Sequence, residues 1–395
     1  MKVVIDRDEL LRGVNAVLDI VPSKTALPVL SNILIDVSEA EGIRLSATDL
    51  DISILCGLSA SVEAPGSTTV PARKFAEIVR ELPEEAVELR AESERVTIQR
   101  QGDAEGTYAL MSVSADDFPD LPGEIEGPDM AFSGTDEASE DGHLLRDMIF
   151  RTSFAVSKDE TRPVLNGVLW QVGEGRMTMV ATDGARLVKY SKAVPASPEG
   201  GGTEAIVPTR ALNHLVKLMS AGGKLDRVQF GQNHLMFSLS VSGANGTEGG
   251  GGIRLFSRLI EGPYVDYEQV IPQANGKRLK VSNSLLSPAV RRVSILSSSQ
   301  NHQVRFRLNA NEIELSATSQ EIGGEAREVL EADYNDEEMA IGYNSFYLQD
   351  VLRRIDSDQV MFELDSPVTA GIIRPADQPE GEDYLCLLMP LRLND

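Results

Sequence analysis

Thr178-Met179-Val180-Ala181-Thr182-Asp183-Gly184-Ala185-Arg186-Leu187 is the stretch on which the fold turns, because weaker copies of its middle lie on either side of it in the chain. Leu45-Ser46-Ala47-Thr48-Asp49 precedes it and Leu315-Ser316-Ala317-Thr318-Ser319 follows, so the three threonines stand 134 and then 136 residues apart. A second marker keeps the same beat: Val70-Pro71-Ala72-Arg73, Val207-Pro208-Thr209-Arg210 and Ile341-Gly342-Tyr343-Asn344 each open an apolar-periodic helical segment, at offsets of 137 and 134. A third is the leucine pairs Leu10-Leu11, Leu144-Leu145 and Leu285-Leu286, at offsets of 134 and 141. Three markers in one order at one period define an internal repeat of roughly 130 residues. The expected domains are 1–128, 129–276 and 277–395.

The length agrees. A chain of 395 residues exceeds what one hydrophobic core fills, and 42% apolar with 25% charged residues is the composition of an ordered globular protein. No apolar run is long enough to span a bilayer, and Met1-Lys2-Val3-Val4-Ile5-Asp6 reads as a strand rather than a secretion signal. The expectation is a cytoplasmic protein without a membrane partner. Cys56 and Cys386 stand in apolar contexts and read as buried, inert thiols. The net charge of −24 excludes a protein that coats nucleic acid with its whole surface, though not one with a local basic channel. Acidic excess on this scale also fits a protein that works in concentrated salt.

Taken in order, the first repeat reads as a strand at Lys2–Ile5 and a helix with Leu10, Leu11, Val14, Val17 and Leu18 on one face. Strands follow at Ile33–Val37, Ile43–Ala47, Asp51–Leu58 and Ala60–Ala64. A second helix, Arg73–Leu82, is stopped by Pro83, and strands at Ala86–Ala91, Arg95–Arg100 and Thr107–Met111 complete the repeat. The second repeat has helices near His143–Ser157 and Thr209–Met219, the third near Ser284–Ser297 and Ser345–Ile355. Gly127–Asp141 reads as a linker or surface loop, and Pro195–Gly202 and Gly243–Gly252 as surface insertions. Two helices against hairpin-rich antiparallel sheet in each repeat make an α+β fold. Like repeats joined head to tail can continue their sheets across each junction, and a second copy can close the arc into a ring.

The six helical segments carry thirteen Lys and Arg against seven Asp and Glu, so they are the basic part of an acidic chain. Such helices suit loose, sequence-blind contact with a phosphate backbone, although Arg and Lys are also ordinary helix formers with solvated tips. Neither an aromatic stripe for base stacking nor a helix-turn-helix or zinc-finger spacing accompanies them. Catalytic signatures are missing too. Gly222-Gly223-Lys224-Leu225 lacks the rest of a phosphate loop and reads as the turn after a helix. His143, His214, His234 and His302 show no metal-ligand spacing and suit surface or capping roles, so no metal or cofactor is expected. Asp183 beside Arg186 could form an acid/base pair, but the last repeat has Ser319 in the place of that aspartate, which favours turn chemistry.

Three stretches together resemble the bacterial sliding clamp family, the beta subunit of DNA polymerase III. They are Phe154-Ala155-Val156-Ser157 with Arg162-Pro163-Val164-Leu165-Asn166-Gly167, then Ala181-Thr182-Asp183-Gly184-Ala185-Arg186-Leu187, then Met389-Pro390-Leu391-Arg392-Leu393. The resemblance covers the whole chain. It implies three clamp domains per protomer, a head-to-tail homodimer closing into a six-domain ring around duplex DNA, and no catalytic activity or cofactor. It also implies a pocket between the second and third domains for short motifs of the polymerase III catalytic subunit, the clamp loader complex and repair proteins. Leu165, Thr182, Gly184, Arg186 and Leu187 match one wall of that pocket, and Val270, Met389, Pro390, Leu391 and Arg392 the other, with Arg186 suited to holding a peptide carbonyl or carboxylate. Ala185, Val265 and Gln269 depart from the family pattern there. Tyr108 and Leu110 match one side of the protomer interface, Ile295 and Leu296 the other. Lys24, Arg73, Arg80, Arg146, Arg151, Arg210, Lys217, Arg291 and Arg353 are the candidate DNA-facing cations, whereas Asp159 stands at a DNA-facing position with the wrong charge. A clamp-fold adaptor that binds proteins without sliding on DNA is the alternative.

Overall fold

Residues 1–102, 106–132, 140–194, 202–241, 251–321 and 323–393 are described by a computed structural model. The first repeat runs β1 (Lys2–Asp6), α1 (Arg7–Leu18), β2 (Asn32–Ser38), β3 (Gly42–Thr48), β4 (Ile52–Leu58), β5 (Ser61–Ala64), β6 (Gly66–Pro71), α2 (Ala72–Glu81), β7 (Ala86–Glu92), β8 (Arg95–Arg100) and β9 (Thr107–Met111). The second runs β10 (Asp129–Ala131), α3 (Glu140–Thr152), β11 (Gly167–Gly173), β12 (Arg176–Thr182), β13 (Arg186–Ala193), β14 (Thr203–Pro208), α4 (Thr209–Ser220), β15 (Lys224–Phe230), β16 (His234–Ser240) and β17 (Ile253–Arg258). The third runs β18 (Lys277–Ser282), α5 (Asn283–Ser294), β19 (Gln303–Asn309), β20 (Glu312–Ser319), β21 (Gly324–Glu331), β22 (Asp333–Tyr334), β23 (Met339–Asn344), α6 (Ser345–Leu352), β24 (Gln359–Leu364), β25 (Gly371–Pro375) and β26 (Glu382–Leu388).

The α+β expectation holds, with six α-helices and antiparallel strand pairing among the described residues. Local chemistry sets the helix starts. The Asp6 carboxylate accepts from the backbone N–H of Asp8 and Glu9 at 2.9 and 3.1 Å and so caps α1, and Asn344 caps α6 in the same way. In α1 the face carrying Leu10, Val14 and Val17 is fully buried, as the period required. The strands were placed one by one only in the first repeat, and two strands near it escaped. β6 is one, because Val70-Pro71 was read only as a helix opener. β10 is the other: part of the supposed linker pairs with β15 through Met130 opposite Val228. The insertions expected at 195–202 and 243–252 fall almost wholly outside the described residues.

Each repeated motif sits at the end of the second strand of its repeat's first hairpin, and its alanine pins the register. Ala47 lies opposite Ile54, Ala181 opposite Val188, and Ala317 opposite Ala326. The strand beyond the hairpin then meets the last strand of the next repeat. β17 pairs with β4, placing Leu255 opposite Ile54, and β26 pairs with β13, placing Cys386 opposite Val188. The sheets thus continue across both junctions within the chain. They have eight strands (β10-β15-β16-β17-β4-β3-β2-β6) and nine (β14-β11-β12-β13-β26-β25-β24-β18-β22). For the same reason the compact units do not follow the repeats. One comprises Met1–Arg146 with Arg210–Leu259, and the other holds Asp147–Ser197, Gly201–Thr209 and Ile260–Asp395. The middle repeat is shared because each of its sheets belongs to a neighbour. Among the terminal strands of the four sheets, two hold the positions that the junction strands hold elsewhere: β9, at one end of the five-stranded sheet β5-β1-β7-β8-β9, and β21, at one end of the four-stranded sheet β21-β20-β19-β23.

Candidate partner-binding and DNA-facing sites

The turn between β12 and β13 is built by its own side chains. Thr182 Oγ1 donates to the Arg186 carbonyl at 2.7 Å and accepts from Gly184 N–H at 3.1 Å. Asp183 Oδ1 accepts from the N–H groups of Ala185 and Arg186 at 2.9 and 3.0 Å. Gly184 sits at φ +92°, where any side chain is disfavoured. The first repeat builds the same turn with Thr48 and Asp49, and there the left-handed position is taken by Leu50 at φ +82°, with its side chain exposed. Both oxygens of Asp183 are engaged within the turn, the second by Arg186 Nε at 3.1 Å, which is the turn chemistry the sequence favoured.

Pairing of β13 with β26 joins the two expected walls. Arg186 lies opposite Leu388 and Leu187 opposite Leu387, and Met389 N–H donates to the Ala185 carbonyl at 2.9 Å. Leu391 bridges to Gly342, its N–H donating to that carbonyl at 2.8 Å. Leu187 is buried in an apolar cluster with Leu169, Val180, Ile206, Ile372, Leu385 and Leu387, against which Tyr264, Ile260 and Ile271 pack. Leu165 and Thr182 are buried, Pro390 and Leu391 half-buried and Arg392 exposed. Val270, Val265 and Met389 leave large apolar side chains exposed, at 56%, 40% and 44%. Gln269, where a cation is common in the family, instead donates to Asp266 at 2.6 Å. Leu387, Ile372 and Tyr264 were not singled out in the sequence. The continuous apolar run Tyr384–Leu388 was the one signal for Leu387, and the other two arrive through tertiary packing alone.

Arg186 does not play the part its motif suggested. It is 8% exposed, and its guanidinium donates to Asp183 at 3.1 Å, to Asp350 at 2.8 Å and to the Phe154 carbonyl at 2.8 Å. Its flat faces meet the rings of Phe154 and Tyr347, at 5.0 and 4.5 Å from the ring centroids. With three of its five N–H groups engaged by the chain's own acceptors, Arg186 buttresses the turn and the strand that follows it. Asp350, Phe154 and Tyr347 are its partners, and no local pattern in the sequence connects them to it.

The candidate cations divide three ways. Lys24, Arg73, Arg80, Arg146, Arg291 and Arg353 are exposed. Arg210 is ion-paired with Asp49, and Lys217 with Asp19 at 2.8 Å. Arg151 is a correction: it pairs with Asp147 at 2.8 Å, donates to the Arg354 carbonyl and packs against the rings of Tyr190 and Tyr384, at 5.6 Å from each centroid. It is a half-buried arginine, held inward by Asp147 and two tyrosine rings that its spacing on α3 could not reveal. His214 is likewise not a surface or capping residue but 7% exposed on α4, and burial, reinforced by the charges of Arg210 and Lys217, holds its imidazole below its ordinary value. Among the described residues no cluster of three His, Cys, Asp or Glu could hold a metal ion, and no helix is long and apolar enough to cross a membrane.

Family models for the DNA polymerase III beta subunit match in chain order: the N-terminal domain over residues 1–122, the central domain over 141–266 and the C-terminal domain over 268–392. The chain belongs to this family. Among its relatives, the beta sliding clamp of Chlamydia muridarum is 30% identical over 395 residues, with all of both chains covered. That of Caulobacter vibrioides is 33% identical over 402 residues, again with both chains covered in full. The crystal structure of the DNA polymerase sliding clamp from Pseudomonas aeruginosa superposes with a TM-score of 0.87 at 29% identity over the whole of both chains. The chain therefore has the three-domain clamp fold and the role of a polymerase processivity factor, in a family whose part in replication is tethering rather than catalysis.

Proposed function

We propose that two copies of this clamp close head to tail into a ring around duplex DNA. There it tethers the polymerase III catalytic subunit, the clamp loader complex and other motif-bearing replication and repair proteins, each through the apolar surface beside the Thr182–Leu187 turn. One observation carries the closure: among the terminal strands, β9 and β21 are the two that the junction pattern would join next. β9 corresponds to β17 and β26, and β21 to β4 and β13. Tyr108, opposite Ile98 on β8, stands where Leu255 and Cys386 stand, opposite Phe237 and Ile373. Continuing the pattern sets Tyr108 against Ala326 of the partner subunit. Leu255 and Cys386 are fully buried, whereas Tyr108 is 47% exposed in the single chain, as expected of a side chain awaiting its neighbour. Ile295 at 74% and Val329 at 48% are exposed on the third repeat, and Leu110 and Leu296 are half-buried beside these surfaces.

The mechanism is topological. A closed ring leaves DNA only by opening, so its contacts with phosphate can stay weak enough to slide. Opening is work for the loader and its ATP. The exposed Lys24, Arg73, Arg80, Arg146, Arg291 and Arg353 are the cations assigned to the duplex, and Val270, Val265, Met389 and the Leu187 cluster form the adaptable apolar seat for partner motifs.

The deciding experiment loads the protein onto nicked circular DNA with its loader and ATP, and measures retention before and after the circle is cut. Retention followed by release on linearisation is expected. Equal behaviour on both forms, with loading verified, would favour the adaptor reading. Tyr108→Asp should convert the dimer to monomers in sedimentation equilibrium, and a variant still dimeric would move the interface elsewhere.

A further inference from the structure

We propose that Asp49 and Asp19 act as built-in restraints on DNA contact, holding the cations of α4 out of use so that this helix is electrically quiet toward the duplex. The inference rests on the DNA-encircling reading above. α2, α4 and α6 each follow the same strand of their repeat, beginning at Ala72, Thr209 and Ser345, and so can be compared position by position. The eighth residue beyond each of those starts is Arg80, Lys217 or Arg353. The residue directly after each start is Arg73, Arg210 or Phe346. All these side chains are exposed, but among the described residues ion pairs are found only for the two on α4, with Asp19 and Asp49.

Both acids are placed by the fold. The Asp49 side chain is 7% exposed, with Oδ1 fixed by the N–H groups of Asp51 and Ile52, so Oδ2 is presented to Arg210 in a fixed direction. Asp183, at the same turn of the second repeat, spends its second oxygen on Arg186, and the third repeat has Ser319 there. Asp19 is the C-terminal cap residue of α1, where α5 has Ile295. Lys217 and Asp19 together line a cavity of about 360 Å³, with Arg12 and His214 also on its wall.

An exposed ion pair adds little to stability. Its effect on a passing phosphate is larger. A cation with a carboxylate at contact distance presents a dipole, whose field fades well within the Debye length of about 8 Å that a lone charge commands at physiological salt. Arg210 and Lys217 are thereby kept from the counterion-releasing contacts that would slow sliding.

The test measures affinity for a short fluorescent duplex as a function of salt. Asp49→Asn keeps an oxygen for the two N–H groups and frees Arg210, while Asp19→Asn frees Lys217. Each should steepen the slope of log affinity against log salt by about 0.9, a gain of roughly threefold between about 200 and about 50 mM salt. Arg210→Gln and Lys217→Gln should be silent in the parent chain but abolish the corresponding gain in the Asn variants. Glu39→Gln, on an exposed turn, controls for the change in net charge. Asn variants no steeper than this control, with Arg73→Gln and Arg80→Gln still weakening binding, would overturn the restraint while leaving the DNA-encircling reading intact. Loss of affinity on Arg210→Gln or Lys217→Gln in the parent chain would also overturn it. Should Arg73→Gln and Arg80→Gln prove silent as well, both readings fall. If Asp49→Asn does not fold, Asp19→Asn and the two Gln variants decide the matter.

Discussion

Replacing Arg186 with methionine tests whether this residue supports the partner-binding wall or touches the partner. The change keeps an unbranched stem and removes three donated bonds of 2.8 to 3.1 Å and two aromatic stackings. Breaking a buried pair from one side costs about 3–5 kcal/mol. The lower end applies, because the Asp350 side chain is 33% exposed and also has Arg354 at 3.8 Å. A loss of about 3 kcal/mol in a compact unit of this size lowers the melting temperature by roughly 6–12 °C. Arg186→Lys should recover less than half of that, since one ammonium cannot reach three acceptors in fork geometry or stack on two rings. The assay pairs a calorimetric melt with binding of a fluorescent polymerase-motif peptide. A double-mutant cycle with Asp350→Asn should give a coupling of about 1 kcal/mol or more. A melt within about 2 °C of the parent, combined with complete loss of peptide binding, would refute the argument. The arginine would then act on the ligand directly.

Two further outcomes follow from buried groups. Burial pushes the Cys56 thiol up to about 11 and the Cys386 thiol up to about 12, so neither is a thiolate near neutrality. The folded chain should resist Ellman's reagent at about pH 8 and release two equivalents in guanidinium, and prompt reaction of the native form would show the burial to be wrong. His214 is depressed below its ordinary value of 6.5, first by burial and then by Arg210 and Lys217, against the opposing pull of Asp19 and Asp49. The unfolded chain therefore binds the proton more tightly, and this stability is full above that value and is lost as pH falls below it. The melting temperature should drop more between about pH 7.5 and pH 5.5 in the parent than in His214→Gln, and parallel drops would remove His214 from the account.

The sequence by itself determined the repeat, the α+β class, all six helices and most strands of the first repeat, and it nominated residues for the partner-binding walls. These were legible because each depends on near neighbours in the chain. Apolar periods, prolines and the Thr-Asp turn act within a few residues, and a period near 134 repeats them. β6 and β10 were missed because their local patterns are short and their partners, β2 and β15, lie far along the chain. Only the tertiary structure decided what the arginines do. Arg151, Arg186, Arg210 and Arg80 are alike in sequence, yet one packs against two tyrosine rings, one is buried among its own acceptors, one is clasped by an aspartate and one is exposed. A long cationic side chain takes its role from whichever acceptors and rings the fold brings within its reach, and those come from segments as distant as Arg186 from Asp350.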